Sequence, residues 1–415
     1  PFLPTGEIYM KYFYKMYYST SSSEERDRIA QARYNYDSTI KTGLEIRPIN
    51  QPKTFELFYV PTNETMNLIQ EIMYYDTELD KRYNSLPGVA KRRFLIEIIT
   101  DELYSTNELE GVKSSREEIA DSTKSILLEE KTNNKRFHSM ISSYLKLTYE
   151  GIELPKSPED IRKIYDDITH GEIKTGEIPD GKIFRKNETY VYKDMKMIHK
   201  GLYPEEAIIE KVKALIEFMN DEKNQINYLV KVAIAHYYFG YIHPFYDGNG
   251  RTNRFISSLY LRDKFSIITA LSLSRGCYIN RTNYLKIFDV TNKIISRGEL
   301  NYFVDEFLHT LILGQRDLLT RINEKIELLD MGSKKIDNDP NIESEDESNI
   351  MFVLIQDYYF SLDNKGVTIK ELVELSGYSD VTVRKKLKQM EARGLVKRIK
   401  SNPLVYVLPE GYLES

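Results

Sequence analysis

The sequence has 415 residues, of which 41% are hydrophobic and 29% are charged, so it is long enough to form roughly two or three domains with real cores. Its formal net charge of −5 argues against a protein that coats nucleic acid with its whole surface, although a local basic patch stays compatible with it. The single cysteine, Cys277, excludes an internal disulfide, and no apolar run has the character of a signal peptide or membrane span, so we expect a cytoplasmic protein.

Apolar periodicity predicts a helical N-terminal part of the chain. One helix is expected from about residue 62 to residue 83, and a second, with its apolar positions on one stripe, covers 89–109. Further helices are expected between residues 116 and 170. Residues 1–50 mix aromatic side chains with polar turns, and we predict no element there.

Residues 175–185 break this helical periodicity with glycine and proline. They lead into the β-prone run Thr189–Tyr192, and two short β segments with a turn between them form a hairpin. We therefore predict a β-hairpin at about residues 182–192. An amphipathic helix is expected next, over residues 204–221.

A loop between two helices is the most informative part of the sequence. Residues 226–241 are apolar nearly all round, as in a buried helix, and Pro244 and the triplet Gly248–Gly250 then interrupt the pattern. A second helix is expected over 252–265. The loop therefore brings backbone N–H groups to a helix start, where free amides and the helix dipole favour an anion. Glycine also permits the positive φ that a concave nest of amides needs.

The side chains around this loop suit a polyphosphate. Arg251 and Arg254 are three residues apart in the first helical turns, so both guanidinium groups can reach phosphate oxygens from one side. Asp247 offers a hard oxygen ligand for Mg²⁺, and Asn249 can form a hydrogen bond without adding charge. His243, with an ordinary pKa of about 6.5, can take a proton from an attacking hydroxyl. Composition and spacing therefore suggest phosphoryl or nucleotidyl transfer with a histidine base.

The segment His243–Arg254 (HPFYDGNGRTNR) resembles the signature of the Fic (filamentation induced by cAMP) family, HPFx(D/E)GNGRxxR, at every defined position. The resemblance implies an all-helical catalytic core. It also implies AMPylation, in which AMP moves from ATP to a side-chain hydroxyl of a protein and pyrophosphate leaves. ATP would be the nucleotide substrate and Mg²⁺ the metal.

The family's roles carry over to the matching positions of this chain. The resemblance implies that His243 is the general base, that Asp247 binds Mg²⁺, and that Arg251 and Arg254 hold the β- and γ-phosphates. The residues expected to bind the nucleotide are Gly248, Asn249, Gly250, Arg251, Thr252, Asn253, Arg254, Tyr284 and Tyr278. The two tyrosines follow from a similar helix start in the family, and both could equally be core aromatics. His236, on the helix before the loop, is expected to be a satisfied core histidine.

The segment Thr106–Gly111 (TNELEG) fits the (S/T)xxxE(G/N) inhibitory motif of many Fic proteins and here precedes the catalytic loop. The resemblance implies that the Glu110 carboxylate forms a bidentate pair with Arg254 and so occupies the guanidinium that should hold the γ-phosphate. ATP then binds with its α-phosphate misaligned for in-line attack, which is enough to silence transfer. The alternative is a solvated glutamate at a helix end.

The resemblance also gives the predicted hairpin a role. In the family, the corresponding hairpin is a flap that holds the target peptide by strand addition. A protein substrate is therefore expected along residues 182–192. The alternative is an ordinary surface hairpin.

The pattern changes in the C-terminal part of the chain. Residues 332–349 are polar and acidic, as in a linker or a frayed helix end. The elements expected after them are three helices and two strands, at 350–362, 368–375, 379–393, 395–399 and 404–407. This order resembles a winged helix-turn-helix domain, in which basic side chains of the third helix and the wing could neutralise DNA phosphates: Arg384, Lys385, Lys386, Lys388, Lys397, Arg398 and Lys400. Winged helices also serve as protein-interaction and dimerisation modules.

These patterns together predict a mainly α protein with a Fic all-helical core, a small β-hairpin flap and a C-terminal winged helix-turn-helix domain. A final core helix is expected from Leu300 to Arg321 or beyond. The expected domains are an N-terminal helical region ending in the inhibitory helix, the Fic core, a linker and the winged helix, at 1–115, 116–331, 332–349 and 350–415.

The leading functional hypothesis is a self-inhibited protein adenylyltransferase that modifies a target protein and itself. One alternative is that the same site also removes AMP, with Glu110 orienting a water molecule. Another is a DNA-binding regulator whose Fic fold senses a nucleotide. The expected partners are a protein substrate, ATP, a second copy in a homodimer and DNA, with no membrane. The sequence identifies neither the target protein nor its acceptor residue.

Overall fold

In the computed structural model, the described residues are 12–127, 136–148, 153–193, 195–362 and 365–413 of the 415-residue chain. They are mainly helical, and their strands form small antiparallel sheets. The chain divides into two compact units, each assembled from separate segments. The first unit comprises Pro1–Thr77, Glu102–Ser114 and Asn133–Gln315, and the second comprises Glu78–Asp101, Ser115–Thr132 and Arg316–Ser415. The segments of the two units thus alternate along the chain.

The elements of the described residues follow one another in this order. The helices up to the central loop are α1 (Phe13–Ser19), α2 (Ser23–Tyr34), α3 (Asn63–Ser85), α4 (Gly88–Leu109), α5 (Arg116–Leu127), α6 (His138–Lys146), α7 (Pro158–Thr169), α8 (Glu205–Asn220) and α9 (Tyr228–Ile242). The helices after it are α10 (Asn249–Lys264), α11 (Ile267–Ala270), α12 (Leu273–Ile279), α13 (Arg281–Thr291), α14 (Asn301–Asn338), α15 (Glu345–Phe360), α16 (Ile369–Ser376) and α17 (Asp380–Ala392). The strands are β1 (Ile40–Ile46), β2 (Phe55–Tyr59), β3 (Tyr190–Lys193), β4 (Lys196–Lys200), β5 (Val367–Thr368), β6 (Lys397–Ser401) and β7 (Leu404–Val407).

The predicted mainly α fold is confirmed, and the long periodic segments are helical where the sequence indicates them. α3, α4, α8 and α9 closely follow the predicted ranges. None of the described helices has the length and apolar character that a membrane crossing requires.

The N-terminal part contains elements that sequence reasoning did not assign. α1 and α2 are followed by β1 and β2, which pair as an antiparallel hairpin with a register shift between Lys41 and Glu45. Gly43 lies in that shift with φ of 71°, a conformation that glycine adopts without strain. The side chains of β1 still alternate between less exposed and exposed positions from Ile40 to Ile46.

The predicted hairpin at 182–192 is wrong in position, because the structure places it at Tyr190–Lys200. The segment before it is bound to a side chain instead of another strand. The Glu205 carboxylate accepts hydrogen bonds from the backbone N–H groups of Lys182, Ile183 and Phe184, at 3.0, 2.7 and 2.9 Å. These amides are satisfied without a partner strand, so a β-prone composition does not produce a strand there.

α9 lies in the core of the first unit. Its side chains are buried nearly all round, with Tyr237 and Ile242 both at 0% exposure. α10 packs beside it, and the His236 Nδ1 of α9 lies 2.8 Å from the Ser257 Oγ of α10. The loop 243–248 is therefore held between the ends of two buried helices.

The second unit contains the C-terminal three-helix arrangement and a three-stranded sheet in the order β5-β7-β6. This agrees with the predicted winged helix-turn-helix elements. Within the segment 332–349, predicted as a linker or a frayed helix end, α14 continues to Asn338 and α15 begins at Glu345. Low hydrophobicity there reflects a solvated helix face, because the buried side chains Ile336 and Glu347 still pack inward.

Candidate active site

The loop between α9 and α10 is braced by its own side chains. The Asn249 Oδ1 accepts from the backbone N–H of Phe245 at 2.9 Å, and the Asn249 Nδ2 donates to the carbonyl of the same residue at 2.8 Å. The Phe245 ring stacks on Tyr165 with 3.7 Å between ring centroids. The side-chain amide of Asn249 therefore stabilises the loop. Its backbone N–H is the group that lies at the helix start.

At two glycines of the loop, an added Cβ atom would lie very close to a neighbouring side chain. Gly248 precedes α10 with φ of 77°, and a Cβ atom there would lie 2.7 Å from the Thr169 Cγ2. A Cβ on Gly250 would lie 2.1 Å from the Glu110 Oε1. The carboxylate of Glu110 therefore packs directly against the first turn of α10.

Arg251 is a buried cation without hydrogen bonds. Its side chain has 0% exposure, and its Nε, Nη1 and Nη2 atoms find no hydrogen-bond partner among the described residues. The nearest acidic oxygen, Oδ2 of Asp247, is 3.7 Å away. A buried guanidinium without such partners is costly, so this group is suited to an anion that enters the site. The N-terminus of α10 adds its partial positive charge at the same place.

Arg254 is bound by the end of α4. Its Nη2 donates to the Glu110 Oε1 at 2.9 Å and to the carbonyl of Thr106 at 3.2 Å, and its Nε donates to the Thr106 Oγ1 at 2.8 Å. Burial favours the neutral guanidinium, but the Glu110 carboxylate beside it raises the pKa of Arg254 above its ordinary value. One hydrogen bond thus joins Glu110 and Arg254, and the Nε and Nη2 of Arg254 each also donate to Thr106.

His243 follows the last residue of α9 in a left-handed conformation, with φ of 52° and ψ of 62°. Its side chain is half-buried. Burial lowers the pKa of His243 to about 3, and the neighbouring His199 and Arg185 act in the same direction. The imidazole is therefore neutral at physiological pH, which is the form that accepts a proton.

Asp247 stands at the rim of the loop, and its side chain is 38% exposed. Its Oδ1 accepts from the backbone N–H of Gly248 at 2.7 Å. The described residues contain no cluster of three or more histidine, cysteine or acidic side chains that could hold a metal ion by themselves. Asp247 fits a Mg²⁺ ion of the kind that takes one carboxylate and completes its shell with substrate phosphates and water.

The other predicted nucleotide-binding residues are engaged within the protein. Thr252 Oγ1 donates to the carbonyl of Gly248 at 2.9 Å, and Asn253 Nδ2 donates to the carbonyl of His236 at 2.8 Å. The Tyr284 hydroxyl lies 2.9 Å from the His236 Nε2, and both side chains are buried. Tyr278 is half-buried. Hence His236 is the hydrogen-bonded core histidine that the sequence indicates, and Tyr284 supports it.

Two residues near the loop were not singled out in the sequence. Arg185 is fully buried beside His243, and Thr106 binds Arg254 through both its hydroxyl and its carbonyl. The inhibitory motif includes Thr106, so its spacing before Glu110 carried a usable signal. Arg185 lies 58 residues before His243, and a lone arginine in a glycine-rich stretch gives no signal in a single sequence.

Two parts of the chain match known protein families. Residues 155–261 match the family model described as Fic/DOC family, and residues 362–401 match the model of a DeoR-like helix-turn-helix domain. The molecule is therefore a helical protein with a Fic domain and a C-terminal helix-turn-helix domain. The match to the Fic/DOC family covers residues 155–261 and so includes the loop between α9 and α10.

The curated relatives carry adenylyltransferase names. The protein adenylyltransferase fic-1 of Caenorhabditis elegans is 40% identical over 57 residues, which are 14% of this chain and 11% of that protein. A probable protein adenylyltransferase of Aquifex aeolicus is 24% identical over 264 residues, which are 58% of this chain and 77% of that protein. The chain therefore matches only a small part of the length of the nematode relative.

Solved structures of Fic proteins are also similar. A Fic family protein from Desulfovibrio desulfuricans covers 85% of this chain and 98% of its own chain, at 16% identity and a TM-score of 0.48. A fragment of Fic-1 from Caenorhabditis elegans covers 63% of this chain and 73% of its own, at 22% identity and a TM-score of 0.44.

Proposed function

We propose that this chain is a self-inhibited protein adenylyltransferase, which moves AMP from ATP to a hydroxyl side chain of a target protein and of itself. The observation that carries the proposal is Arg251, a buried guanidinium at the start of α10 that has no hydrogen-bond partner among the described residues. A neutral His243 lies at the other end of the same loop, after α9. The guanidinium can bind a polyphosphate and the neutral imidazole can accept a proton. Nucleotidyl transfer to a hydroxyl requires both. The names of the curated relatives support the same reaction.

The reaction follows from the roles of these groups. A hydroxyl oxygen of the target attacks the α-phosphorus of ATP while a ring nitrogen of His243 takes the hydroxyl proton. The new P–O bond forms as the bond from the α-phosphorus to the bridging oxygen breaks, and pyrophosphate leaves with that electron pair. Arg251, Arg254 and the N–H groups at the start of α10 hold the phosphates in line for this attack.

Mg²⁺ would be held by Asp247 together with the phosphates and, when bound, would offset the charge that develops on the leaving pyrophosphate. The target would bind along the hairpin of β3 and β4 by strand addition. Tyr192 and Met195 on this hairpin are 62% and 97% exposed, so its apolar side chains are accessible to such a segment.

Glu110 would inhibit transfer by two contacts that the site offers. Its Oε1 binds the Nη2 of Arg254 at 2.9 Å, and its carboxylate packs against Gly250. A negative charge at this position repels the γ-phosphate and holds the guanidinium that should receive it. ATP can then enter only with its phosphates displaced from the in-line arrangement.

Labelled ATP tests the proposal directly. The pure protein is incubated with Mg²⁺ and ATP labelled at the α-phosphate, and incorporation is followed by gel and by mass spectrometry. We expect Glu110→Gly to increase self-labelling by about 100-fold, because the phosphates regain their alignment. Glu108→Gly is the matched control in the same helical turn, and Glu110→Gly/His243→Ala should lose the label.

The absence of label from Glu110→Gly in the presence of Mg²⁺ and ATP would overturn the transferase proposal. A mass increment other than that of AMP would replace AMPylation with another nucleotidyl transfer. The alternative in which the same site removes AMP predicts a different result. Wild-type protein would then release AMP from a pre-labelled sample, whereas Glu110→Gly would not.

DNA binding is a second candidate function of the C-terminal unit, favoured by the match to a DeoR-like helix-turn-helix domain. Lys385 and Lys388 of α17 are exposed, and every residue of β6, the wing strand, is exposed. Lys386 differs, since its Nζ donates to the Ser344 Oγ at 2.8 Å. Exposed basic side chains on a helix and a wing suit contact with the phosphate backbone. A homodimer stays a prediction.

A further inference from the structure

Arg185 is a fully buried arginine that binds only carbonyl oxygens among the described residues. Its Nε and Nη2 both donate to the carbonyl of His243, at 3.1 and 2.9 Å. Its Nη1 donates to the carbonyl of Asn187 at 2.6 Å, and its Nη2 also donates to that of Leu202 at 2.7 Å. Its side chain has 0% exposure, and no described carboxylate forms an ion pair with it. The planar guanidinium of Arg185 therefore fixes the relative positions of the carbonyl groups that it binds.

Arg185 first holds the backbone of His243. This residue has φ of 52°, a conformation that histidine adopts infrequently. Its carbonyl accepts two of the four hydrogen bonds of Arg185, so the peptide plane that carries the imidazole is held from one side. The backbone N–H of His243 is held from the other side by the carbonyl of Phe239 at 3.0 Å. The direction of the imidazole therefore depends on the Arg185 fork.

Arg185 also binds the base of the β3–β4 hairpin. Asn187 and Leu202, the other two acceptors, flank this hairpin on its two sides. The base is closed by the backbone N–H of Gly201, which donates to the carbonyl of Thr189 at 3.0 Å. The backbone N–H of Leu202 in turn donates to the carbonyl of Ile242 at 3.1 Å, next to the catalytic loop. One guanidinium thus joins both ends of the hairpin to the backbone of His243.

Gly201 shows how tightly these parts approach each other. A Cβ atom on Gly201 would lie 2.4 Å from the Nη2 of Arg185 and 3.2 Å from the Cβ of His243. The hairpin, the guanidinium and the histidine therefore approach one another closely at Gly201.

We propose that Arg185 is a positioning residue that fixes the β3–β4 hairpin, and with it the bound target segment, relative to the imidazole of His243. This inference rests on the transferase function proposed above. Among the described residues, Arg185 reaches the loop through backbone carbonyls: its guanidinium binds that of His243, and its backbone N–H donates to that of Pro244 at 3.4 Å. It therefore acts through the backbone. Lysine cannot replace it fully, since one ammonium group lacks the flat fork that reaches three carbonyls on two sides.

The test uses the full chain with Glu110→Gly, in which transfer is not inhibited. Arg185→Gln and Arg185→Lys are added to it, and kcat and KM for ATP are measured from AMP transfer to the protein itself. We expect kcat to fall by about 100-fold for the glutamine variant and less for lysine, because a small misplacement of the base costs that much. KM for ATP should stay within about two-fold, since the phosphate-binding groups are untouched.

Arg162→Gln is the matched control. Its Nη1 also donates to a carbonyl, that of Ile183, at 2.7 Å, but it has no contact with His243. This control should keep the kcat of its parent. Circular dichroism and the thermal midpoint show whether each variant is folded.

Each outcome decides the inference. Unchanged kcat in Arg185→Gln would overturn it, and so would an equal loss of ATP binding and transfer, which would indicate a general structural role. If the glutamine variant does not fold, the lysine variant is judged by the same criteria. Failure of both to fold would reduce Arg185 to a folding residue and would also overturn the inference. Absence of label in the Glu110→Gly parent would instead count against the proposed function.

Discussion

The guanidinium of Arg251 carries a positive charge that the described protein groups solvate poorly. It is buried without hydrogen bonds, and its acidic neighbour Asp247 is 3.7 Å away. Binding sites commonly keep such groups at a cost in stability, because the ligand later provides the missing partners. A substitution of Arg251 should therefore change stability and nucleotide binding in opposite directions.

We predict that Arg251→Met stabilises the protein without nucleotide and weakens binding of ATP. Removing a buried, poorly paired charge should raise the free energy of unfolding by about 1–2 kcal/mol. Loss of a charge-assisted contact to phosphate should weaken ATP binding by at least about ten-fold. Chemical denaturation measures the first quantity and calorimetric titration the second. A destabilised variant with normal ATP affinity would contradict the assignment.

His243 leads to a prediction about pH. Burial lowers its pKa to about 3, so the base stays unprotonated far below the ordinary value of 6.5. A base works in its neutral form, and a lowered pKa extends that form toward acid. Single-turnover AMP transfer by Glu110→Gly should therefore show no loss centred near pH 6.5 when the pH falls from 7.5 to 5.5. A fall of about ten-fold between pH 7.5 and 5.5, with its midpoint near 6.5, would indicate an ordinary histidine in the free site.

The sequence indicates the residues of the loop but not how each is used. The motif contains His243, Arg251 and Arg254, and the structure places the first at the end of α9 and the other two in the first turns of α10. It does not reveal that the Asn249 amide is engaged by the Phe245 backbone. Side-chain partners of this kind depend on backbone conformation, which spacing along the sequence does not specify.

At the scale of elements, helices are predictable in this chain and short strands are not. The periodicity of α3, α4 and α14 extends over many turns, so it survives local irregularities. The hairpin at Tyr190–Lys200 contains few residues and a register shift, so its position depends on contacts elsewhere. The Glu205 carboxylate, from the following helix, holds the preceding segment out of a strand. Its three N–H partners outweigh burial and lower the pKa of Glu205.

α4 is also fixed by an ion cluster inside the second unit. The Arg93 Nε lies 2.7 Å from Asp357 Oδ1 of α15, and its Nη2 lies 3.0 Å from Glu371 Oε1 of α16. All three side chains are at most 5% exposed. Burial acts against the charged form of Arg93, but the two carboxylates raise its pKa. The cluster is therefore a buried charge network in which each member depends on the others.

We predict that Arg93→Met costs about 3–5 kcal/mol in the free energy of unfolding, because it leaves two buried carboxylates without their cation. Arg92→Met is the matched control on the same helix. Arg92 pairs with Glu374 at 2.7 Å, but these side chains are 33% and 49% exposed, so its loss should cost less than about 1 kcal/mol. Urea denaturation of the two variants compares them. Equal effects would show that burial of the cluster does not matter.

At the scale of the whole molecule, the net charge of −5 conceals an uneven distribution. Exposed basic residues lie together on α17 and β6 in the second unit. Binding to phosphates depends on such local clusters, since counterions are released only where the chain meets the nucleic acid. The overall charge therefore does not argue against a nucleic-acid partner for that unit.

If the helix-turn-helix domain binds DNA, Lys385→Glu/Lys388→Glu should abolish most of that binding. The control is Lys211→Glu/Lys213→Glu on α8, which changes the net charge equally. Fluorescence anisotropy with a duplex obtained by selection gives the affinity at several salt concentrations. The salt slope of a single Lys388→Ala variant should fall by about 0.9 if one phosphate contact is lost. Equal loss in both double variants would indicate a bulk charge effect.

The alternating segments of the two units also decide how the protein can be divided. A gene fragment ending at residue 331 would encode the whole Fic-matching region and yet remove Asp357 and Glu371. Arg93, still present in that fragment, would lose both of its buried anions. Expression of such a piece should thus yield poorly folded material, so biochemistry on this protein is better done with the intact polypeptide and point substitutions.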